Sequence, residues 1–212
     1  MGSLRKRVGV EDDVRVPGEL SPETLAAARR RDHAAFAAIV DHYDARLRAL
    51  AYHLLRDEQT LRDVLQDAYV KAYLALPGFR GDAGLGTWLY RIVYTTCLNQ
   101  LRSEARHPRP VGGRDGGGGE PFRLAAVPAD PDLADGVAAT LDLATLLAAL
   151  PLEQRAAVVL VDAQGLSYAQ AAAILDVPQG TVASRVASAR VKLRAALAER
   201  TDLTTTDCGN TP

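Results

Sequence analysis

Apolar positions along the chain recur at steps of three and four rather than two. Phe36, Val40, Tyr43, Leu47, Leu50 and Leu54 fall on one face of a long helix. Leu61, Leu65, Ala68, Ala72 and Leu76 repeat the spacing in a second helix from Thr60 to Leu76, which Pro77-Gly78 ends. Upstream, Ser21-Pro22-Glu23 reads as a helix start, with serine as cap, proline at the first helical position and an acid in the first turn. The glycines at 78, 81, 84 and 86 predict an irregular loop. After it Thr87 caps a helix running through Trp88, Ile92, Leu98 and Leu101 to about Arg106, just before His107-Pro108.

Four more helices are predicted, at Leu141 to Leu150, Leu152 to Val161, Ser167 to Leu175 and Thr181 to about Glu199. Gly165-Leu166-Ser167 closes one helix with glycine and caps the next with serine. The turn from Asp176 to Thr181 leads from a helix that cannot pass Pro178 into one capped by Thr181. Helix, tight turn, helix is the form of a helix-turn-helix unit. Its last helix carries an apolar seam of Val182, Val186, Ala189, Leu193 and Leu197, with Ser184, Arg185, Ser188 and Lys192 on its other side. No segment reads as a strand, so the fold class is all-α.

Five prolines and the run Gly116 to Gly119 interrupt the chain between His107 and Ala139. They predict a flexible acidic linker at 108–139 that joins two small helical domains, a helical bundle at 21–107 and a helix-turn-helix domain at 140–200. An extension at 1–20 and a tail at 201–212 lie outside both. Each domain is of a size at which a single small core just suffices.

The 25 Lys and Arg residues against 26 Asp and Glu give a net charge of −1, which argues against a general nucleic-acid glue. Local charges are opposed, however. Residues 178–200 carry Arg185, Arg190, Lys192, Arg194 and Arg200 against Glu199, a net +4. Residues 111–142 carry Asp115, Glu120, Asp130, Asp132, Asp135 and Asp142 against Arg114 and Arg123, a net −4. Cys97 in an apolar helix and Cys208 in a polar tail read as reduced thiols, not a disulfide framework. With no apolar run of ~20 residues and no signal-peptide pattern, the expectation is a cytoplasmic protein without membrane insertion.

Reactive constellations are not read in the sequence. The glycine run has no following Lys-Ser or Lys-Thr, and His33, His42, His53 and His107 lack zinc-site partners. Asp63 and Asp67 share a helix face without an apolar pocket to raise a pKa. Neither catalysis, a metal nor a cofactor is expected. Three surfaces remain. Near the start of the last helix, Thr181, Ser184, Arg185 and Ser188 suit base edges in a major groove, while Arg190, Lys192 and Arg194 suit phosphates. Trp88, Tyr90 and Tyr94 interleave with Arg91, Arg102 and Arg106, as in surfaces on which single-stranded bases stack. Asp63, Gln66 and Asp67 form an acidic face suited to a basic protein partner. The residues alone leave open a stand-alone helix-turn-helix repressor whose N-terminal domain binds an effector or dimerises.

Taken in order, the motifs resemble the extracytoplasmic-function (ECF) group of sigma-70 family sigma factors. Asp63-Val-Leu-Gln-Asp67 is similar to the family's polymerase-docking segment. Gly78-Phe79-Arg80 through Thr87-Trp88-Leu89-Tyr90-Arg91-Ile92 resembles its −10 loop and helix. Leu150-Pro151, Gly165-Leu166-Ser167-Tyr168 and Gly180-Thr181-Val182-Ala183-Ser184-Arg185 resemble its −35 domain. The resemblance implies region 2 and region 4 domains and three sets of contacts. Asp63, Gln66 and Asp67 would meet core RNA polymerase, whose beta-prime clamp and beta flap are the implied docking elements. Phe79, Arg80, Trp88, Arg91, Tyr94 and Arg102 would hold the opened −10 strand. Tyr168, Thr181, Ser184, Arg185, Ser188, Arg190 and Lys192 would read −35 duplex DNA. It also implies an anti-sigma factor as a partner. The chain departs from the family pattern at Thr60-Leu61-Arg62-Asp63, Thr95, Ala183 and Ser188; a missing bidentate Arg–guanine contact removes about 1–3 kcal/mol of discrimination at one base.

Overall fold

The computed structural model describes residues 20–106 and 143–206, with side chains to Ala198. The predicted linker, most of the N-terminal extension and Cys208 lie outside the described residues. All regular structure among them is helical, as the periodicity requires.

Helix α1 (Pro22–Arg29) begins as read from the sequence, with the Ser21 hydroxyl accepting from the Thr24 N–H at 3.2 Å. Helix α2 (His33–Leu55) is capped by Asp32, whose carboxylate accepts from the Ala35 N–H at 3.0 Å. Its core-facing residues are Ile39, Tyr43, Leu47, Leu50 and Leu54, while Phe36 and Val40 are only partly covered. Helix α3 (Glu58–Ala75) starts earlier than Thr60, because Asp57 is the cap and accepts from the Thr60 N–H at 2.7 Å. A 3-10 turn at Leu76–Gly78 follows. Helix α4 runs Leu85–Arg106, so Thr87 is not its cap but a buried first-turn residue, and Gly86 belongs to the helix rather than the loop.

In the C-terminal part, residues 143–149 form α5 and Leu152–Val158 form α6. Helix α6 widens into a π-turn at Val159–Ala163, beyond the predicted end at Val161. Helix α7 (Tyr168–Leu175) has a capping box. The Ser167 hydroxyl accepts from the Gln170 N–H at 3.1 Å, and the Gln170 side chain accepts from the Ser167 N–H at 2.8 Å. It ends at Asp176, which adopts a left-handed φ of 57°. Helix α8 (Gln179–Thr206) starts directly after Pro178, whose carbonyl accepts from both the Thr181 and Val182 N–H groups. Thr181 therefore lies inside the first turn and is not the cap. The helix also continues past Glu199 into the predicted tail, since neither Gly nor Pro intervenes before Gly209.

Helices α2, α3 and α4 pack on one another, and α8 packs on α6 and α7. Val182, Val186 and Ala189 are buried on the predicted seam of α8, but Leu197 is 50 % exposed because the seam outruns the helices beneath it. Arg155 pins α5 to α6. Its Nη2 donates to the carbonyls of Ala148 at 2.7 Å and Leu150 at 3.0 Å. The two regions meet as well, with α4 on α7 and α2 on α6, in one continuous apolar core.

Candidate nucleic-acid interface

The acidic face of α3 is exposed as its spacing demands. Asp63 accepts from the Gln59 amide at 3.4 Å, and Asp67 pairs with Lys71 at 2.6 Å one turn on. Such half-exposed i,i+4 pairs contribute about 0.3–0.5 kcal/mol, so Asp67 is partly neutralised but remains available to a partner. Gln66 is exposed beside Val70 and Leu74, which are 52 % and 58 % exposed. Together they border an open groove of about 470 Å³ that reaches Phe36, Leu65 and Tyr69. The sequence reading missed this apolar border, although Gln66, Val70 and Leu74 lie on a single i, i+4, i+8 line.

Behind this face, the Tyr69 hydroxyl donates to Asp44 Oδ1 at 2.6 Å, and Arg48 pairs with the same carboxylate at 3.3 Å. Burial, reinforced by the Asp44 carboxylate, pushes the Tyr69 pKa far up and keeps the phenol protonated. The triad fixes α3 against α2 and so sets the position of the acidic face.

The loop after α3 and the start of α4 enclose a pocket of about 290 Å³. Phe79 and Trp88 form its aromatic floor, with ring centroids 5.2 Å apart and planes inclined at 49°. Arg80 and Arg91 supply cations at its edge, and Gly81 turns the loop with a φ of 75° that side chains rarely adopt. Arg102 is exposed farther along α4. Tyr94, expected with these residues, is instead only 5 % exposed, and burial raises its pKa. Arg91 is already engaged, its Nη2 lying 3.1 Å from Asp176 Oδ1.

In the helix-turn-helix formed by α7 and α8, Ser184, Ser188 and Lys192 are exposed, while Thr181, Arg185 and Tyr168 are half-buried. The Ser184 hydroxyl donates to the Thr181 carbonyl at 2.9 Å. Arg190 is held by a bidentate pair with Asp162 in the π-turn, at 3.0 and 2.6 Å. Those bonds raise the Arg190 pKa and direct its fork toward the π-turn. The sequence places Arg190 at phosphates without this partner, because Asp162 lies 28 residues away, beyond the reach of any helical spacing rule.

Cys97 is buried in α4, and desolvation pushes its thiol up to about 12. Among the described residues no three His, Cys, Asp or Glu side chains cluster as a metal site. No described helix is long and apolar enough to cross a membrane.

Residues 39–107 match the sigma-70 region 2 family, and residues 140–193 match the sigma-70 region 4 family. The chain is 37 % identical over 171 residues to the ECF RNA polymerase sigma factor SigM of Mycobacterium tuberculosis, covering 81 % of each chain. It is 34 % identical to the RNA polymerase sigma-H factor of Pseudomonas aeruginosa, covering 84 % of this chain and 94 % of the relative. Among solved structures, it is similar to the sigma factor RpoE of Bartonella quintana, crystallised with the anti-sigma factor NepR. That match has a TM-score of 0.60 and 31 % identity, and covers 77 % of this chain and 96 % of the other. Region 2 thus precedes region 4 along the chain, and the chain belongs to the ECF group of sigma-70 family RNA polymerase sigma factors.

Proposed function

We propose the following division of labour within this sigma factor. The α3 face of Asp63, Gln66 and Asp67 docks the beta-prime clamp of core RNA polymerase, and the C-terminal region meets the beta flap. The pocket floored by Phe79 and Trp88 receives a base of the opened −10 strand. Arg80, Arg91 and Arg102 hold that strand's phosphates, and Tyr94 joins them once its cover is removed. Helix α8 enters the −35 major groove, where Thr181, Ser184, Arg185 and Ser188 meet base edges, while Tyr168, Arg190 and Lys192 meet backbone.

The aromatic pocket edged by cations carries the reading most strongly. Extruding a base costs a few kcal/mol of stacking, and base–aromatic stacking recovers about 1–3 kcal/mol per base. The acidic docking face adds electrostatic complementarity to a basic partner. An anti-sigma partner is supported by the solved relative crystallised with its anti-sigma factor. The protein acts where core polymerase and promoter DNA are, in the cytoplasm.

The test is the double charge reversal Asp63→Arg with Asp67→Arg, measured as holoenzyme assembly on core polymerase by fluorescence anisotropy. Assembly weakens at least tenfold if α3 docks the clamp. Unchanged assembly assigns the docking surface elsewhere.

A further inference from the structure

Helix α8 carries a second row of residues besides its buried seam. At about 100° per residue, Ser184, Ala187, Ser188 and Val191 fall within about 100° of one another, and the row lies roughly opposite Val182, Val186 and Ala189. All four are exposed. Val191, 64 % exposed, is the most exposed large apolar side chain among the described residues. Packing does not account for it. Val191 lies off the seam that rests on α6 and α7, unlike Leu197, which continues that seam beyond the helices beneath. Helix stability does not account for it either, because a β-branched valine is a poorer helix former than the alanine at the exposed positions Ala183, Ala187 and Ala195.

We infer that Val191 is a further base-reading residue, whose isopropyl group packs on the C5-methyl group of a thymine in the −35 element. The inference deepens, and rests on, the reading of α8 as the −35 helix. A recognition helix lying along a major groove presents positions i, i+3, i+4 and i+7 to the bases. Counted from Ser184, those positions are Ala187, Ser188 and Val191. Thymine alone among the four bases shows a methyl group in that groove, and an apolar side chain is its chemical complement. Cations flank the row on both sides, with Lys192 about 90° to one side and Arg194 about 70° to the other, both exposed. That disposition suits a helix whose row faces the bases while its flanks meet the two phosphate backbones that wall the groove.

The chemistry of the row leaves a part for valine to play. The hydroxyls of Ser184 and Ser188 both donate and accept, so by themselves they separate the bases weakly. A valine side chain does what they do not. Its χ1 angle is nearly fixed in a helix, so little freedom is lost when a base meets it. Against thymine it covers a methyl group, whereas against cytosine it would strip water from an amino group and offer no acceptor in return.

The experiment uses holoenzyme assembled from core polymerase and the full chain. Holoenzyme selects from duplexes with a randomised −35 segment. The selected duplex is then remade with deoxyuridine in place of each thymidine in turn, which removes the methyl group and nothing else. The expected result is one thymidine in the element whose methyl group strengthens holoenzyme binding about fourfold, the effect of burying one methyl. In Val191→Ala holoenzyme that ratio falls to nearly one, while Val191→Ile keeps it. A selected element without such a thymidine overturns the inference, as does a Val191→Ala holoenzyme that still distinguishes thymidine from deoxyuridine at the same place. Arg185→Ala in the same selection separates the two ideas. If neither Arg185→Ala nor Val191→Ala alters the selected sequence, the reading of α8 as the −35 helix fails. If Arg185→Ala alters it while Val191→Ala leaves the methyl dependence intact, only the role of Val191 fails.

Discussion

Replacing Arg155 with methionine tests how the C-terminal region is held together. Methionine keeps the apolar stem but removes the guanidinium. Three carbonyls then lose a donor: Ala148 at 2.7 Å and Leu150 at 3.0 Å at the end of α5, and His53 at 3.4 Å across the contact with α2. The last is long and adds little. The first two acceptors belong to residues that are half-buried and buried, and an unsatisfied buried acceptor costs about 1–3 kcal/mol. Against that loss stands relief from desolvation of the guanidinium, which already lowers the Arg155 pKa and leaves its buried Nε without a hydrogen bond. The net destabilisation is therefore about 2–3 kcal/mol. At about 2–4 °C per kcal/mol for a chain of this size, the melting temperature falls by roughly 4–12 °C. Urea titration followed by circular dichroism measures the change directly. Arg155→Lys recovers less than half of it, since an ammonium cannot reproduce the planar fork that serves two carbonyls. Arg106→Ala, at an exposed position, stays within about 0.5 kcal/mol of the parent. A loss below about 0.5 kcal/mol in Arg155→Met would mean that water satisfies these carbonyls and that Arg155 is not the pin.

Other consequences follow from single contacts. Burial first, then the charges of Arg155 and Arg56, lower the His53 pKa below its ordinary 6.5. The unfolded chain therefore binds the extra proton more readily, and stability falls as pH drops below about 6.5; thermal melts between pH 7.5 and 5 show this loss, and His53→Gln flattens it. Ser167→Ala removes one half of the capping box and costs about 1 kcal/mol by urea titration, with α7 loosened in hydrogen exchange. Cys97, with its thiol pushed up to about 12, resists a thiol reagent at pH 8 in the native protein and reacts only on unfolding. Asp162→Ala frees the Arg190 fork and changes the salt dependence of duplex binding by holoenzyme, whereas an unaltered salt slope would show that Arg190 plays no part at the phosphates.

Periodicity disclosed the helices because burying one face of a helix requires apolar residues at that spacing, and α2 and α3 carry it over many turns. Helix starts were less legible. Asp57 displaced Thr60, and Pro178 left Thr181 inside a first turn, because several residues in succession qualify as caps and backbone geometry selects among them. Which faces meet was not legible at all. Tyr90 and Gln164 are 74 residues apart, Arg190 and Asp162 are 28 apart, and no local pattern reports such pairings. Tyr94 illustrates the effect on the candidate site. Its residue type and spacing suited a nucleic-acid surface, but tertiary packing buries it. The opposed charges of α3 and α8, by contrast, could be read directly, since exposed charge on a helix face follows from residue order alone.

The central claim is that this chain gives core RNA polymerase its choice of promoter. Run-off transcription from a genomic template library, with core polymerase in the presence and absence of the protein, tests it most directly. The account predicts defined start sites that appear only with the protein and vanish with Asp63→Arg and Asp67→Arg. Contradiction would come from an absence of protein-dependent starts together with tight binding of the free chain to duplex DNA, the behaviour of a stand-alone repressor.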